Sequence, residues 1–186
     1  MKKLSPRDIL LKRIWFTLAC TYPIEDILMP KPIPPGAHTL TPTITVHNAV
    51  EAIEFYKKAF GATEESRYLA PDGKIMHAKL NIGDSGLMIS DENPNWQVKS
   101  PKTLGGTPSG IYMYVENVDE VFDRAVKGGA QVMMPLMNQF WGDRMAVVLD
   151  PYGHKWSLAT HVEDLTHEEI KKRGEAFMKQ MAAAKN

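Results

Sequence analysis

Cysteine is nearly absent from this sequence. Cys20 stands alone among 186 residues, which excludes an intrachain disulfide framework and any cysteine-built zinc site. Net charge is absent as well: 22 Lys and Arg balance 22 Asp and Glu. With no basic excess or stripe, the footprint of a dedicated nucleic-acid binder is missing. No stretch reaches the roughly 20 apolar residues of a membrane-spanning helix. What is present is ordinary globular usage, 44% hydrophobic and 24% charged, so intrinsic disorder is excluded too. A chain this long buries roughly 70% of its unfolded surface and needs no cross-links. Composition therefore points to a cytoplasmic globular protein of one domain or two small ones, and function has to come from motifs.

Residues 1–36 differ from the rest. Met1–Cys20 pairs a basic start with an apolar stretch, but Lys12 and Arg13 cut that stretch to Ile14–Cys20, the bare minimum for a secretory signal. We read an amphipathic helix there rather than an export signal. Met29–Gly36 holds four prolines in eight residues, which makes a stiff extended linker. The folded body is expected to start near His38.

That body repeats itself. Val46, Asn48, Glu51 and Glu54 recur as Val115, Asn117, Glu120 and Asp123, an offset of 69 residues. Each copy follows an apolar-alternating run and opens a helix with Asn at the N-cap and Glu three residues on. Both helices close on glycine, Gly61 and Gly128-Gly129, as helix C-termini prefer. Period-two strands then follow, divided by turns such as Pro71-Asp72-Gly73 and Asp150-Pro151-Tyr152-Gly153. Each copy is thus β-α-β-β-β, over residues 38–91 and 109–161. A final helix is expected over 166–186, opened by a capping box of Thr166 and Glu169.

Four motifs in order carry a resemblance: Ala52–Ala62 (AIEFYKKAFGA), Pro71–Ala78 (PDGKIMHA), Gln139–Arg144 (QFWGDR) and Asp150–Thr160 (DPYGHKWSLAT). Together with the paired repeat they resemble the vicinal oxygen chelate superfamily of glyoxalases, bleomycin-resistance proteins and extradiol dioxygenases, and most of all its PhnB-like branch. The resemblance covers residues 37–165. It implies an α+β fold in which two βαβββ modules form an open, cup-shaped mixed β-barrel with the helices outside. It also implies that enzymes of the family hold a divalent metal in the cup, on His, Gln or Glu from the first and last strands of each repeat. The matching positions here are Thr41, Met88, Gly110 and Ser157, which cannot build an imidazole and carboxylate site. No metal ligand and no cofactor are therefore expected, a divalent metal being the disfavoured alternative.

Strand parity separates two faces. One phase is apolar: Ile44 and Val46; Met76, Ala78, Leu80 and Ile82; Leu87 and Ile89; Ile111, Met113 and Val115; Met145, Val147 and Leu149; Trp156 and Leu158. It should pack under the helices. The other phase holds Thr41, Thr43 and Thr45; His77, Lys79 and Asn81; Met88 and Ser90; Tyr112 and Tyr114; Arg144 and Ala146; Ser157 and Ala159. It should line the cup or meet water. It contains no Asp or Glu, so an electropositive cup is expected.

The candidate ligand-binding residues are His77, Tyr112, Tyr114, Phe140, Trp141 and Arg144, with His77 also a candidate general base. Phe140 and Trp141 would wall the mouth, and Arg144 would reach in to an anionic or carbonyl oxygen. Two functions follow. The first is metal-free small-molecule binding of the bleomycin-resistance type. The second is a glyoxalase-, lyase- or dioxygenase-type enzyme, and whether the chain is catalytic stays open. Open sheet edges and an apolar stripe of Ile170, Phe177, Met178 and Met181 on the last helix point to a homodimer.

Overall fold

The structure, a computed structural model, describes residues 31–183. The helix expected over Met1–Cys20 lies outside the described residues. The chain divides into two units at residue 40. Of the first, residues 31–40 hold no helix or strand, and Ala37 N–H donates to the Pro34 carbonyl at 3.0 Å to close a turn.

The second unit contains both repeats. β1 (Thr43–Val46), α1 (Ala49–Phe60), β2 (Thr63–Leu69), β3 (Ile75–Ile82) and β4 (Ser85–Asp91) form the first module. A 3-10 turn (Pro94–Trp96) and a short α2 (Pro101–Leu104) lead to the second. That module is β5 (Gly110–Tyr114), α3 (Val118–Lys127), β6 (Gln131–Asn138), β7 (Asp143–Leu149) and β8 (Lys155–His161), and α4 (His167–Ala183) follows. The sheets run β1-β4-β3-β2 and β5-β8-β7-β6. In each, the first strand pairs parallel with the last and the other neighbours are antiparallel. The two sheets are not closed into a barrel, as an open cup requires.

The helix starts are set by local chemistry. Asn48 and Asn117 accept from the N–H groups of Glu51 and Glu120, both at 3.3 Å. The first helical N–H of each helix finds a more distant acceptor: Ala49 donates to Asp91 Oδ1 at 2.8 Å, and Val118 donates to Thr160 Oγ1 at 2.9 Å. Asp91 and Thr160 are again one repeat apart, so two side-chain types satisfy the same orphan donor. Thr166 and Glu169 exchange the expected capping-box bonds at the start of α4.

One core serves both modules. Ile53, Tyr56 and Phe60 of α1, Leu80 and Ile89 of the first sheet, Val121 of α3, and Val148, Trp156 and Leu158 of the second all belong to it. Tyr56 and Phe60 rest against Trp156 at ring distances of 5.5 and 4.7 Å. Inside this core lies a carboxylate. Asp150, 3% exposed, accepts from Tyr56 Oη (2.6 Å), Trp156 Nε1 (2.9 Å) and the N–H groups of Tyr152 and His154. Burial, and then the charge of Asp150, push the Tyr56 hydroxyl well above the ordinary phenol range, so it stays a donor.

Two parity expectations are corrected. Met76 is 46% exposed and Ile75 is fully buried in its place. The β2–β3 register steps from Tyr68–His77 to Leu69–Ile75, and this bulge turns Met76 outward. The whole of β7 runs in the opposite phase. Val148 lies opposite Trp156 and Ala146 opposite Leu158, while Met145 lies opposite Ala159 and Val147 opposite Ser157. Arg144 and Ala146 therefore share the core side, and Asp143, Met145 and Val147 share the bare side with Tyr112 and Tyr114. Periodicity could not decide this strand, because both of its phases are apolar.

Replacing Asp150 tests the knot between the modules. Asp150→Ala strands the buried Tyr56 hydroxyl and Trp156 N–H, and should cost about 2–5 kcal/mol in urea unfolding. Tyr56→Phe leaves Asp150 three of its donors and should cost less. An equal loss from the two variants would contradict this reading.

Candidate ligand-binding site

The bare face of the second sheet carries a concentrated set of side chains. β5 puts Tyr112 and Tyr114 on one side by alternation, their rings 5.1 Å apart. β7 starts beside them with Asp143, and β8 ends opposite it with His161. The β6–β7 loop brings Trp141. Met134 opposite Val147 and Met137 opposite Met145 extend the face towards the edge strand.

The loop is held by Gly142. Its carbonyl accepts from the N–H groups of Val162 and Glu163, both at 3.0 Å. Its φ is +99°, and a Cβ there would run into the Glu163 carbonyl oxygen. Only glycine combines that backbone with that approach. The clamp fixes Trp141 over the first residue of β7.

Asp143 is the hub. It is 2% exposed. Its Oδ2 accepts from Tyr112 Oη (3.1 Å), Tyr114 Oη (2.9 Å) and Trp141 Nε1 (2.9 Å), and its Oδ1 faces His161 Nδ1 at 2.9 Å. His161 Nε2 meets Asp164 Oδ1 at 3.0 Å. Burial pushes the Asp143 carboxyl up, but the hydrogen bonds from His161, Tyr114, Trp141 and Tyr112 outweigh it and hold the group below its ordinary range. Carboxylates face both nitrogens of His161, so both must donate, and the imidazolium is favoured; its pKa rises, chiefly through Asp143 and then Asp164. Burial and then Asp143 raise Tyr112, while the Asp143 bond and then burial raise Tyr114. These phenols hold their protons too tightly for acid–base work at neutral pH. Their rings nevertheless remain open, Tyr112 at 46% and Tyr114 at 62% exposure.

The other residues singled out in the sequence lie elsewhere. Phe140 packs edge-on against Trp141 and lies 5.6 Å from Phe177 of α4, close against Gly174. It anchors the C-terminal helix. Arg144 points to the helix side, where it grips Asp119 of α3 through Nε (2.8 Å) and Nη2 (2.7 Å) and also donates to Asn138. His77 is on the first sheet, its ring 6.3 Å from Tyr68. On that same face Lys79 pairs with Glu65 at 2.7 Å. Among the described residues no hydrogen bond or ring contact joins His77 to the Asp143 group. With Asp143 and Glu65 on the bare faces, the expectation of a face without carboxylates is corrected.

Strand parity does not find Asp143, because both phases of β7 are apolar; it does give His161 the face of Ser157 and Ala159, as observed, but a place at the strand end does not single it out. The clue to Asp143 is Trp141-Gly142-Asp143, an aromatic, a glycine and an acid at a strand start.

The positions at which the family holds a metal do not fit one. Thr41, Met88, Gly110 and Ser157 offer hydroxyls, a thioether and no side chain. Among the described residues no three His, Cys, Asp or Glu side chains converge as a metal site would need.

Comparison with known proteins accords with the fold. The profile of the Glyoxalase/Bleomycin resistance protein/Dioxygenase superfamily matches residues 37–158, and the chain belongs to that superfamily. It is 44% identical over 134 residues to an uncharacterised protein of Mycobacterium bovis, covering 70% of this chain and 88% of that one. Among solved structures it resembles TioX from Micromonospora sp. ML1 (26% identity, TM-score 0.54), which covers 68% of this chain and all of that one. It also shares its fold with a PhnB protein from Bacillus cereus described as a putative 3-demethylubiquinone-9 3-methyltransferase (21% identity, TM-score 0.53, 66% of this chain and 99% of that one).

The Asp143–His161 pair sets a pH dependence with a definite sign. A raised folded-state pKa means that His161 stabilises the fold fully below its unfolded value near 6.5, and that this stability is lost as pH rises through the folded value. Thermal melts of wild type and His161→Gln should therefore differ most in mildly acidic buffer and converge in alkaline buffer. A gap that widens with rising pH would contradict the assignment.

Proposed function

We propose that this chain is a metal-free small-molecule binding protein of the superfamily, and that its ligand stacks on Tyr112, Tyr114 and Trp141. The observation that carries this reading is the direction in which these aromatics spend their polar ends. All three donate to the one buried carboxylate of Asp143, which locks the rings while Tyr112 and Tyr114 turn open faces outward. A locked aromatic face loses little entropy on binding, and the exposed Met137 beside it adds an adaptable apolar contact.

The ligand we infer has a flat apolar or aromatic body. Its anionic or carbonyl oxygen would be met by His77, with Lys79, shared with Glu65, beside it, rather than by Arg144. Those groups lie on the other sheet, so the binding cup is completed by a second copy. Each chain carries two bare faces, one with His77 and one with Tyr112. A two-fold pairing sets the first face of one copy over the second face of the other and makes two equivalent cups. Among the described residues no helix is long and apolar enough to cross a membrane, and we place the protein in the cytoplasm. The enzymatic alternative rests on His77, because the tyrosines are unsuited to proton transfer.

Calorimetry with 1-naphthoate as a flat anionic probe tests this. Replacing both Tyr112 and Tyr114 by Ala should weaken binding about tenfold or more, whereas Arg144→Ala should leave it unchanged. Light scattering of the wild type should return a dimer mass. Tyrosine replacements without effect, or a monomer that binds as tightly as the wild type, would refute the reading.

A further inference from the structure

A concave site lies in the first module, apart from the Tyr112 face. It has a volume of about 340 Å³, within the range of small-ligand pockets. It is framed by the Pro71 turn, the bulge at Met76, the end of β4 and the loop over residues 93–98. It shares Ser90 with the His77 face and nothing with the Tyr112 face.

Three features point to the kind of molecule it takes. The first is an aromatic wall. Trp96 is 62% exposed, yet its loop is closed by paired backbone bonds between Asn93 and Val98 at 2.9 and 3.1 Å and by Asn95 N–H donating to Asn93 Oδ1 at 3.0 Å. A large indole held in the open by a closed loop has no packing reason to be there. The second is the bulge, which turns Met76 out of the core and into this pocket. Met76 and Val98 give it an apolar lining.

The third is charge. Asp72, Asp91 and Glu92 line the pocket against one cation, Lys74. The hydrogen-bond donors to these carboxylates are backbone N–H groups and one hydroxyl: Lys74 N–H to Asp72, Ala49 and Ile75 N–H to Asp91, and Ser100 N–H and Thr103 Oγ1 to Glu92. Asp91 is spent on the first turn of α1 and His47 offsets part of the charge of Glu92, which still leaves the lining net negative with Lys74 as its one cation. A negative field beside an exposed tryptophan face favours a positive group, which the ring quadrupole attracts further.

We propose that this pocket binds an organic cation, with the ammonium group seated on Trp96 and the carbon skeleton laid along Met76 and Val98. The site is independent of the aromatic face of the second sheet.

Choline is a suitable probe, with 3,3-dimethyl-1-butanol as its uncharged isostere. In calorimetric titration of the full chain, choline should bind clearly more tightly than the isostere. Trp96→Ala should weaken choline binding about 5–30-fold, the range expected of a partly desolvated cation–π contact. Asp72→Asn keeps the turn acceptor and removes the charge, so it should weaken choline binding and leave the isostere unaffected. Tyr114→Ala should change neither. Equal affinity for choline and the isostere, no choline binding at millimolar concentration, or loss of binding in Tyr114→Ala but not in Trp96→Ala would each overturn the proposal. Both Trp96 and Asp72 are surface residues, and each variant should melt within a few degrees of the wild type.

Discussion

A carboxylate removed from water must be saturated with donors, and the fold is arranged around that demand at Asp150. Left bare in a core, the charge would cost far more than the few kcal/mol by which a domain is stable. Four donors meet it, and they come from three places: the turn that carries Asp150, the strand that follows, and Tyr56 of the other module. The turn supplies its own backbone donors to Asp150 Oδ1, and Tyr56 of α1 meets Oδ2, so burying the Tyr56 hydroxyl uses the acceptor that the turn presents. Trp156 adds both a donor and a ring that spans Tyr56 and Phe60. The two repeats therefore share one core.

The same physics acts at Asp143 with a different result. There the donors are side chains of the bare face rather than the core. Their polar ends turn in and their ring faces turn out. The tyrosines are fixed by a bond that also suppresses their ionisation, so what they present is shape and polarisability, not acidity. Gly142 belongs to the same device. Its clamp on the Val162–Glu163 backbone sets the loop, and the loop sets Trp141.

The β-α-β-β-β order, the asparagine caps and the Thr166 capping box were legible in the sequence because each rests on local chemistry. The faces of β1, β4, β5 and β8 were legible because large apolar residues alternate with polar ones. The face of β7 was not, since Met145, Ala146, Val147 and Val148 fit either side, and the residues that decide it, Asp143 and Arg144, are both charged. Their fates depend on partners distant in the chain: Asp119 for one, two tyrosines on β5 for the other. The position of Met76 was hidden for a related reason. A bulge is a property of the pairing of two strands, and neither strand announces it alone.

Comparing the repeats at their constant offset shows where each constraint acts. On the core side the equivalent pairs are Ile44 and Met113, Val46 and Val115, Leu87 and Trp156, Ile89 and Leu158. The residue changes in three of the four pairs, and every pair remains apolar. On the bare side the pairs are Thr43 and Tyr112, Thr45 and Tyr114, Met88 and Ser157, Ser90 and Ala159. Here chemistry changes at each position. Packing fixes one face of every strand and leaves the other to be set by whatever it meets. A shared core and two unlike bare faces are what a repeated scaffold yields when one side answers to burial and the other to recognition. The large aromatic pair appears only in the module whose β7 supplies a buried carboxylate to hold it.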